Sequence, residues 1–346
     1  MTTADEDTRD DPAAASSRAA LARLELLVTR RLDGVLNGDH RGLLPGPGTE
    51  PGEARAYEPG DDVRTMDWSV TARTTVPHIR QTIADRELET WIVVDMAPSL
   101  DVQGRYGTKR RLVEAAAATV GFLSAGGGSR VGLVLTGAGR PQVLRATGGR
   151  DHVRRLLEEV SRSSTEIGPG GTLNDALRAV RNAARRHGLV VVISDFLSDV
   201  DWERSLRVLG TRHEFLAVHV ADPLDISLPA VGAALLQDPA TGEVLELDVD
   251  DALAADYRRA ADAHRALAHA ALRRCGAPVL ALRTDRDWVR DVIDYVGARR
   301  QGGLPTGENL VRDLPDDHSV SDHASSDHST SGRSTSGRPA SSETTR

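Results

Sequence analysis

Two short apolar runs, each ending in an aspartate, constrain this chain more than any other feature: Thr90–Asp95 (TWIVVD) and Leu189–Asp195 (LVVVISD). Neither run alternates polar with apolar residues, so both faces of each strand must be covered. Central parallel strands with helices on both sides meet that requirement. An acid at the end of such a strand falls at the carboxyl edge of the sheet, where open α/β sheets bind their ligands. The two runs are therefore expected to lie side by side and to define a site.

The sequence around them alternates strand and helix signals. A helix over 108–124 carries Leu112, Ala116, Val120 and Leu123 in line. Arg130–Thr136 and Gln142–Thr147, parted by Gly137, Gly139 and Pro141, read as a hairpin that leaves an antiparallel edge strand. Helices over 150–162 and 173–184, a strand over His213–Ala221 and a hairpin over 235–248 around Thr241-Gly242 follow. A long helix over 250–274, an edge strand over Pro278–Arg283 and a helix over Trp288–Val296 close the pattern. Strands joined by crossover helices give a doubly wound, mostly parallel α/β sheet. Aromatic residues are only 3% of the chain, so the core must be built from Val, Leu, Ile and Ala, as in buried parallel sheets.

Outside this pattern the composition changes. Residues 1–16 and 301–346 are polar with few large apolar groups, and are expected to be disordered. The second of these is a Ser/His/Asp-rich tail in which Asp317-His318, Asp322-His323 and Asp327-His328 recur every five residues. Residues 17–33 place Leu21, Leu24, Leu27 and Val28 on one face of an amphipathic helix, to be docked on the chain itself or on a partner. A Gly- and Pro-rich arm over 36–60 leads on from it. The expected divisions are thus 1–16, a helix and charged arm over 17–88, the α/β domain over 89–300, and the tail over 301–346.

Several function classes fall away. The acidic ends contribute −4 and −3 of the net charge of −8, so residues 16–300 are nearly neutral and offer no electrostatic case for nucleic acid. Cys275 is the single cysteine, which leaves no intrachain disulfide and no cysteine-based metal cage. The N-terminus has no secretory pattern and no run approaches a membrane span, so a cytoplasmic protein is expected. No G-x-x-x-x-G-K-[ST] loop is present, and the Gly clusters at 126–128 and 168–171 lack a phosphate-binding lysine.

At the expected carboxyl edge stand Asp95, Ser99, Thr172 and Asp195. Asp95-Met96-Ala97-Pro98-Ser99, Gly171-Thr172 opening a helix, and Asp195 at a strand end resemble the metal-ion-dependent adhesion site of von Willebrand factor type A domains. That family pattern is D-x-S-x-S, a threonine in a second loop and an aspartate in a third. The resemblance implies Mg²⁺ held by hydroxyls and carboxylates, an oxygen set suited to a hard cation. This chain departs from the pattern at Ala97, where the family has a ligating serine, so the implied site is degenerate. The same side chains would also serve by capping helices and bonding loops.

Upstream, Arg55-Ala56-Tyr57-Glu58-Pro59-Gly60-Asp61-Asp62-Val63-Arg64-Thr65-Met66-Asp67-Trp68-Ser69-Val70-Thr71-Ala72-Arg73 interleaves acids with Arg55, Arg64 and Arg73. Such charges can pair bidentately and fix a loop that has few apolar contacts, with Trp68 anchoring it by burial. The stretch closely resembles R-x-Y-x-x-G-D-D-x-R-x-I-D-W-x-x-T-A-R, with Met66 in place of the isoleucine, the signature of the family called domain of unknown function fifty-eight, and the chain resembles that family over roughly 20–300. The arm residues Arg55, Tyr57, Asp61, Asp62, Arg64, Asp67, Trp68, Thr71 and Arg73 are expected to form either an internal network or a partner-binding surface. The resemblance implies a non-enzymatic adaptor or co-chaperone that works with a MoxR-type AAA+ ATPase on a client protein. A metal-dependent hydrolase or phosphatase using Asp95 is the enzymatic alternative. Haloacid-dehalogenase-like enzymes, however, place a second acid two residues after their nucleophile, where this chain has Ala97. A self-associating structural protein is the third reading.

Overall fold

The structure is a computed structural model that describes residues 54–57, 66, 68–80, 89–126, 129–137, 139–165, 171–300, 306, 307 and 310. Among these, a small hairpin of β1 (Ala54–Ala56) and β2 (His78–Arg80) brackets the short helix α1 (Trp68–Thr74). The α/β body follows as β3 (Glu89–Val94), α2 (Lys109–Gly126), β4 (Arg130–Leu135), β5 (Gln142–Thr147), α3 (Arg150–Arg162), α4 (Leu173–Ala183) and β6 (Gly188–Ser194). It continues through α5 (Glu203–Leu209), β7 (His213–Ala221), the hairpin β8 (Gly232–Gln237) and β9 (Val244–Val249), α6 (Asp251–Arg274), β10 (Val279–Arg283) and α7 (Trp288–Arg300).

The central sheet runs β10-β7-β6-β3-β4-β5, parallel throughout except for the antiparallel β4–β5 edge pair. This is the doubly wound architecture with an antiparallel edge strand that the strand and helix signals require. Every residue of β3 and β6 is buried, as expected of strands covered on both faces.

Successive side chains of β3 feed opposite layers because the strand has a period of two. Ile92 and Val94 join Leu112, Val113, Leu156, Leu282 and Val292 on one face. Trp91 and Val93 join Leu177, Val192, Trp202, Leu206 and Leu272 on the other. Two glycines are fixed by close approach. A Cβ on Gly132 would meet the Trp91 ring at 2.7 Å, and one on Gly188 would come within 1.9 Å of the Glu89 carbonyl oxygen.

Three features depart from the sequence reading. The short helix α5, preceded by the buried Trp202, falls where no strand or helix is expected. Part of the 301–346 stretch is packed rather than disordered: Thr306 bridges Val279, and Leu310 is buried against Ala221 and Ala281. Leu310 is also held through its carbonyl, which accepts from Arg283 Nη1 at 2.9 Å. The helix expected over 17–33, residues 1–16 and the rest of the tail lie outside the described residues.

The third departure is Trp68, which is 71% exposed and therefore does not anchor the arm by burial. It starts a helix of only seven residues, too short to present an apolar face, and the hairpin holds that helix through polar contacts instead. Thr71 Oγ1 accepts from the His78 amide at 2.9 Å, and the Tyr57 amide donates to the Pro77 carbonyl at 2.8 Å.

Candidate functional site

The two acid-tipped strands are neighbours. β3 and β6 pair in register from Glu89 with Gly188 to Val94 with Ile193, and the Asp95 amide donates to the Ile193 carbonyl at 2.9 Å. The backbone ladder thus carries Asp95 and Asp195 out at the same edge.

Asp95 is 4% exposed and both its oxygens are engaged. Oδ2 accepts from Ser194 Oγ at 2.8 Å and Oδ1 from Thr136 Oγ1 at 3.3 Å. Thr136 Oγ1 in turn accepts from the Met96 amide at 2.6 Å, tying the end of β4 to the turn after β3. Burial, reinforced by the neighbouring Asp195 charge, raises the Asp95 pKa from 3.8 to about 6 against the opposing hydrogen bonds.

Asp195 is held differently. Its Oδ2 accepts from Ser99 Oγ at 2.5 Å and from the Lys109 ammonium at 2.7 Å, while Oδ1 takes the Leu197 amide at 3.3 Å. Lys109 is buried and also meets Asp225, at 3.0 Å. Burial depresses the Lys109 ammonium, but the charges of Asp195 and Asp225 outweigh it and leave the pKa above that of an ordinary lysine. Burial pushes Asp225 up against the pull of Lys109.

Asp225 is positioned by a tight turn. Asp222 accepts from the Leu224 amide at 3.0 Å, and Asp225 Oδ2 accepts from the Asp222 amide at 2.8 Å, a reciprocal cap over Pro223–Asp225. After Asp195 the chain turns through Phe196 at φ 52, a left-handed conformation costly for a bulky residue. It is held by the Phe196 amide donating to Ser194 Oγ at 2.8 Å and by ring packing on Trp202 and His219, each at 5.4 Å.

Thr172 takes another role. It is the N-cap of α4: its Oγ1 accepts from the Asp175 amide at 3.3 Å and donates to the Asp175 carboxylate at 2.7 Å. Its loop does abut the edge, since the Gly137 amide donates to the Gly171 carbonyl at 3.3 Å. The structure therefore brings Asp95, Ser99 and Asp195 into one connected cluster and spends the Thr172 hydroxyl on a helix end.

The residues do not fit a Mg²⁺ site of the expected kind. Ala97 packs its methyl against the core, and a fixed ammonium sits on Asp195. Among the described residues, no group of three or more His, Cys, Asp or Glu side chains could hold a metal ion. Lys109 and Asp225 are the members that reading the sequence missed. No local pattern marks the lysine, because Arg110 and Arg111 follow it in the same first helical turn.

Beside the cluster lies a groove of about 230 Å³, lined among others by Asp195, Phe196, His219, Asp225, Tyr257 and Arg265. Its His219 ring is buried on His269, with Nδ1 to Nε2 at 2.8 Å. Burial and neighbouring cations hold His219 well below its ordinary pKa, so it stays neutral. Of the arm residues, Tyr57, Trp68, Thr71 and Arg73 are described and form the hairpin with its helix. For Arg55 the backbone alone is described, and Asp61, Asp62, Arg64 and Asp67 lie outside the described residues. No helix among the described residues is long and apolar enough to cross a membrane.

Comparison with known proteins adds the family. An uncharacterized protein of Mycobacterium tuberculosis is 53% identical over 297 residues, covering 85% of this chain and 92% of its own length. Among solved structures, the conserved hypothetical protein BatB from Bacteroides thetaiotaomicron is 15% identical, covers 62% of this chain and 99% of its own, and has a TM-score of 0.36. A von Willebrand factor type A protein from Catenulispora acidiphila is 13% identical, covers 64% of this chain and 43% of its own, and has a TM-score of 0.34. Residues 53–267, spanning the charged arm and most of the α/β body, match the family described as protein of unknown function DUF58, and the chain belongs to that family.

Proposed function

We propose that this protein is a non-enzymatic interaction module, an adaptor or co-chaperone for a MoxR-type AAA+ ATPase that acts on a client protein. The observation that carries the reading is the state of the strand ends. A reactive α/β site leaves a nucleophile or base facing the substrate. Here both oxygens of Asp95 accept hydrogen bonds in the interior, while Asp195 is bound by Ser99, Lys109 and a backbone amide. Such an edge offers a partner shape and fixed charge rather than chemistry, and the adjoining groove supplies concave surface for it. The ATPase partner rests on the family resemblance of the arm at 55–73.

The test is co-expression of the full chain with a MoxR-type ATPase encoded in the same genome, followed by size-exclusion chromatography with ATP, ADP or no nucleotide. Co-elution in at least one state is expected, weakened by Arg64→Ala in a folded protein. Absence of co-elution in all three states would remove the ATPase as partner. Phosphatase or esterase turnover that Asp95→Asn abolishes would replace the reading with an enzymatic one.

A further inference from the structure

We infer that the ε-ammonium of Lys109 is a tethered cation occupying the place that a divalent ion would take at this sheet edge, so that the cluster is assembled without metal. The inference concerns the site itself and needs no particular partner.

Three observations converge on it. The first is the pair of carboxylates around one buried nitrogen: Lys109 Nζ lies 2.7 Å from Asp195 and 3.0 Å from Asp225, and all three residues leave different elements to meet there. The second is the hydroxyl of Ser99, the Ser of the adhesion-site pattern that this chain keeps. It donates to the same Asp195 oxygen that the ammonium binds, at 2.5 Å, which leaves that oxygen doubly engaged. The third is Ala97, whose methyl packs on the core where the pattern has an oxygen ligand.

Loss of an oxygen ligand and gain of an internal positive charge are complementary changes. A divalent ion on Asp195 would sit within a few ångström of the ammonium, and the Lys109 and Asp195 side chains are only 3% and 2% exposed, so the like charges would be poorly screened. The ammonium already supplies what the ion would: a positive centre that holds two acids from separate loops together. Lys109 opens α2 and Asp225 closes the Pro223–Asp225 turn, so the pair fastens the β7 exit to the helix beside β3.

Full-length wild-type protein titrated with Mn²⁺, with free ion read by electron paramagnetic resonance, is expected to show no saturable binding up to about 1 mM beyond that of Asp195→Asn, which keeps the Asp-His repeats of the tail. Its Tm in MgCl₂ should equal that in NaCl of matched ionic strength. Lys109→Ala leaves Asp195, Asp225 and Ser99 around a cation-sized space, and should lower the metal-free Tm while gaining Mn²⁺ affinity by about tenfold or more over wild type, with Tm recovered by the ion. Lys109→Met, which keeps the aliphatic stem, covers the case in which the alanine variant does not fold. Lys109→Arg keeps the charge and should gain no affinity. Saturable Mn²⁺ binding by the wild type below about 1 mM that Asp195→Asn abolishes would overturn the inference. Folded Lys109→Ala and Lys109→Met proteins that bind Mn²⁺ no better than wild type would overturn it too. Should both variants fail to fold, the wild-type titration decides alone.

Discussion

Asp95→Asn probes the energy stored in the buried acid at the end of β3. In the folded protein this carboxyl has a pKa of about 6, against 3.8 for an ordinary aspartate. Because the folded value is the higher one, the native state binds this proton more tightly than the unfolded chain does. The group therefore favours folding in acid, and that contribution is lost as pH rises through about 6. At about 1.4 kcal/mol per tenfold, the rise from 3.8 to about 6 amounts to about 3 kcal/mol between strong acid and neutral pH. By about pH 4.5 roughly 1 kcal/mol of this is already gone, which leaves about 2 kcal/mol to be lost on the way to pH 7.

Asparagine does not titrate, and it can keep the local bonding. Its oxygen can accept from Ser194 Oγ, and its amide can donate to Thr136 Oγ1. The expected outcome is that the stability difference between Asp95→Asn and wild type shifts in favour of the variant by about 2 kcal/mol between about pH 4.5 and pH 7. Urea unfolding at the two pH values measures it. Other raised acids, such as Asp291 at about 6, are present in both proteins and cancel in the difference. A difference that stays constant with pH to within about 0.5 kcal/mol would refute the assignment of Asp95 as a buried carboxyl with a raised pKa.

Further perturbations follow from packing. Gly188→Ala would drive a methyl to 1.9 Å from the Glu89 carbonyl oxygen, a backbone atom that cannot yield, so a loss above about 3 kcal/mol in urea unfolding is expected; a loss under about 1 kcal/mol would mean β3 and β6 are not so tightly paired. Leu310→Ala removes a side chain that is 1% exposed, and should cost about 2–4 kcal/mol by the same assay, whereas an undocked Leu310 would show no change. Trp68→Ala, at a site 71% exposed, should leave stability within about 0.5 kcal/mol of wild type and weaken co-elution with the ATPase; a stability loss above about 2 kcal/mol would place the indole in the interior.

Much of the body is legible in the sequence because its code is local. The runs TWIVVD and LVVVISD have no polar alternation, and strands of that kind belong between two helical layers wherever they occur. Helix phases such as Leu173, Ala176, Leu177 and Val180 read directly onto α4, whose inner face they form. The short helix α5 escaped notice because seven residues carry too little periodicity to separate from a loop. The docking of Thr306 and Leu310 escaped because a single buried leucine in a polar stretch has no pattern at all.

The site divides in the same way. The sequence alone determined that Asp95 and Asp195 end strands, that Ala97 interrupts a ligand pattern, and that Thr172 opens a helix. Those are statements about neighbours along the chain. Only the tertiary structure decided that Lys109, from a Thr-Lys-Arg-Arg run that looks like a solvated helix start, turns inward between Asp195 and Asp225, 86 and 116 residues away in sequence. The physical reason is that ion pairing depends on distance in space. A charge's partner across that many residues is set by strand order and loop path, which no local pattern encodes.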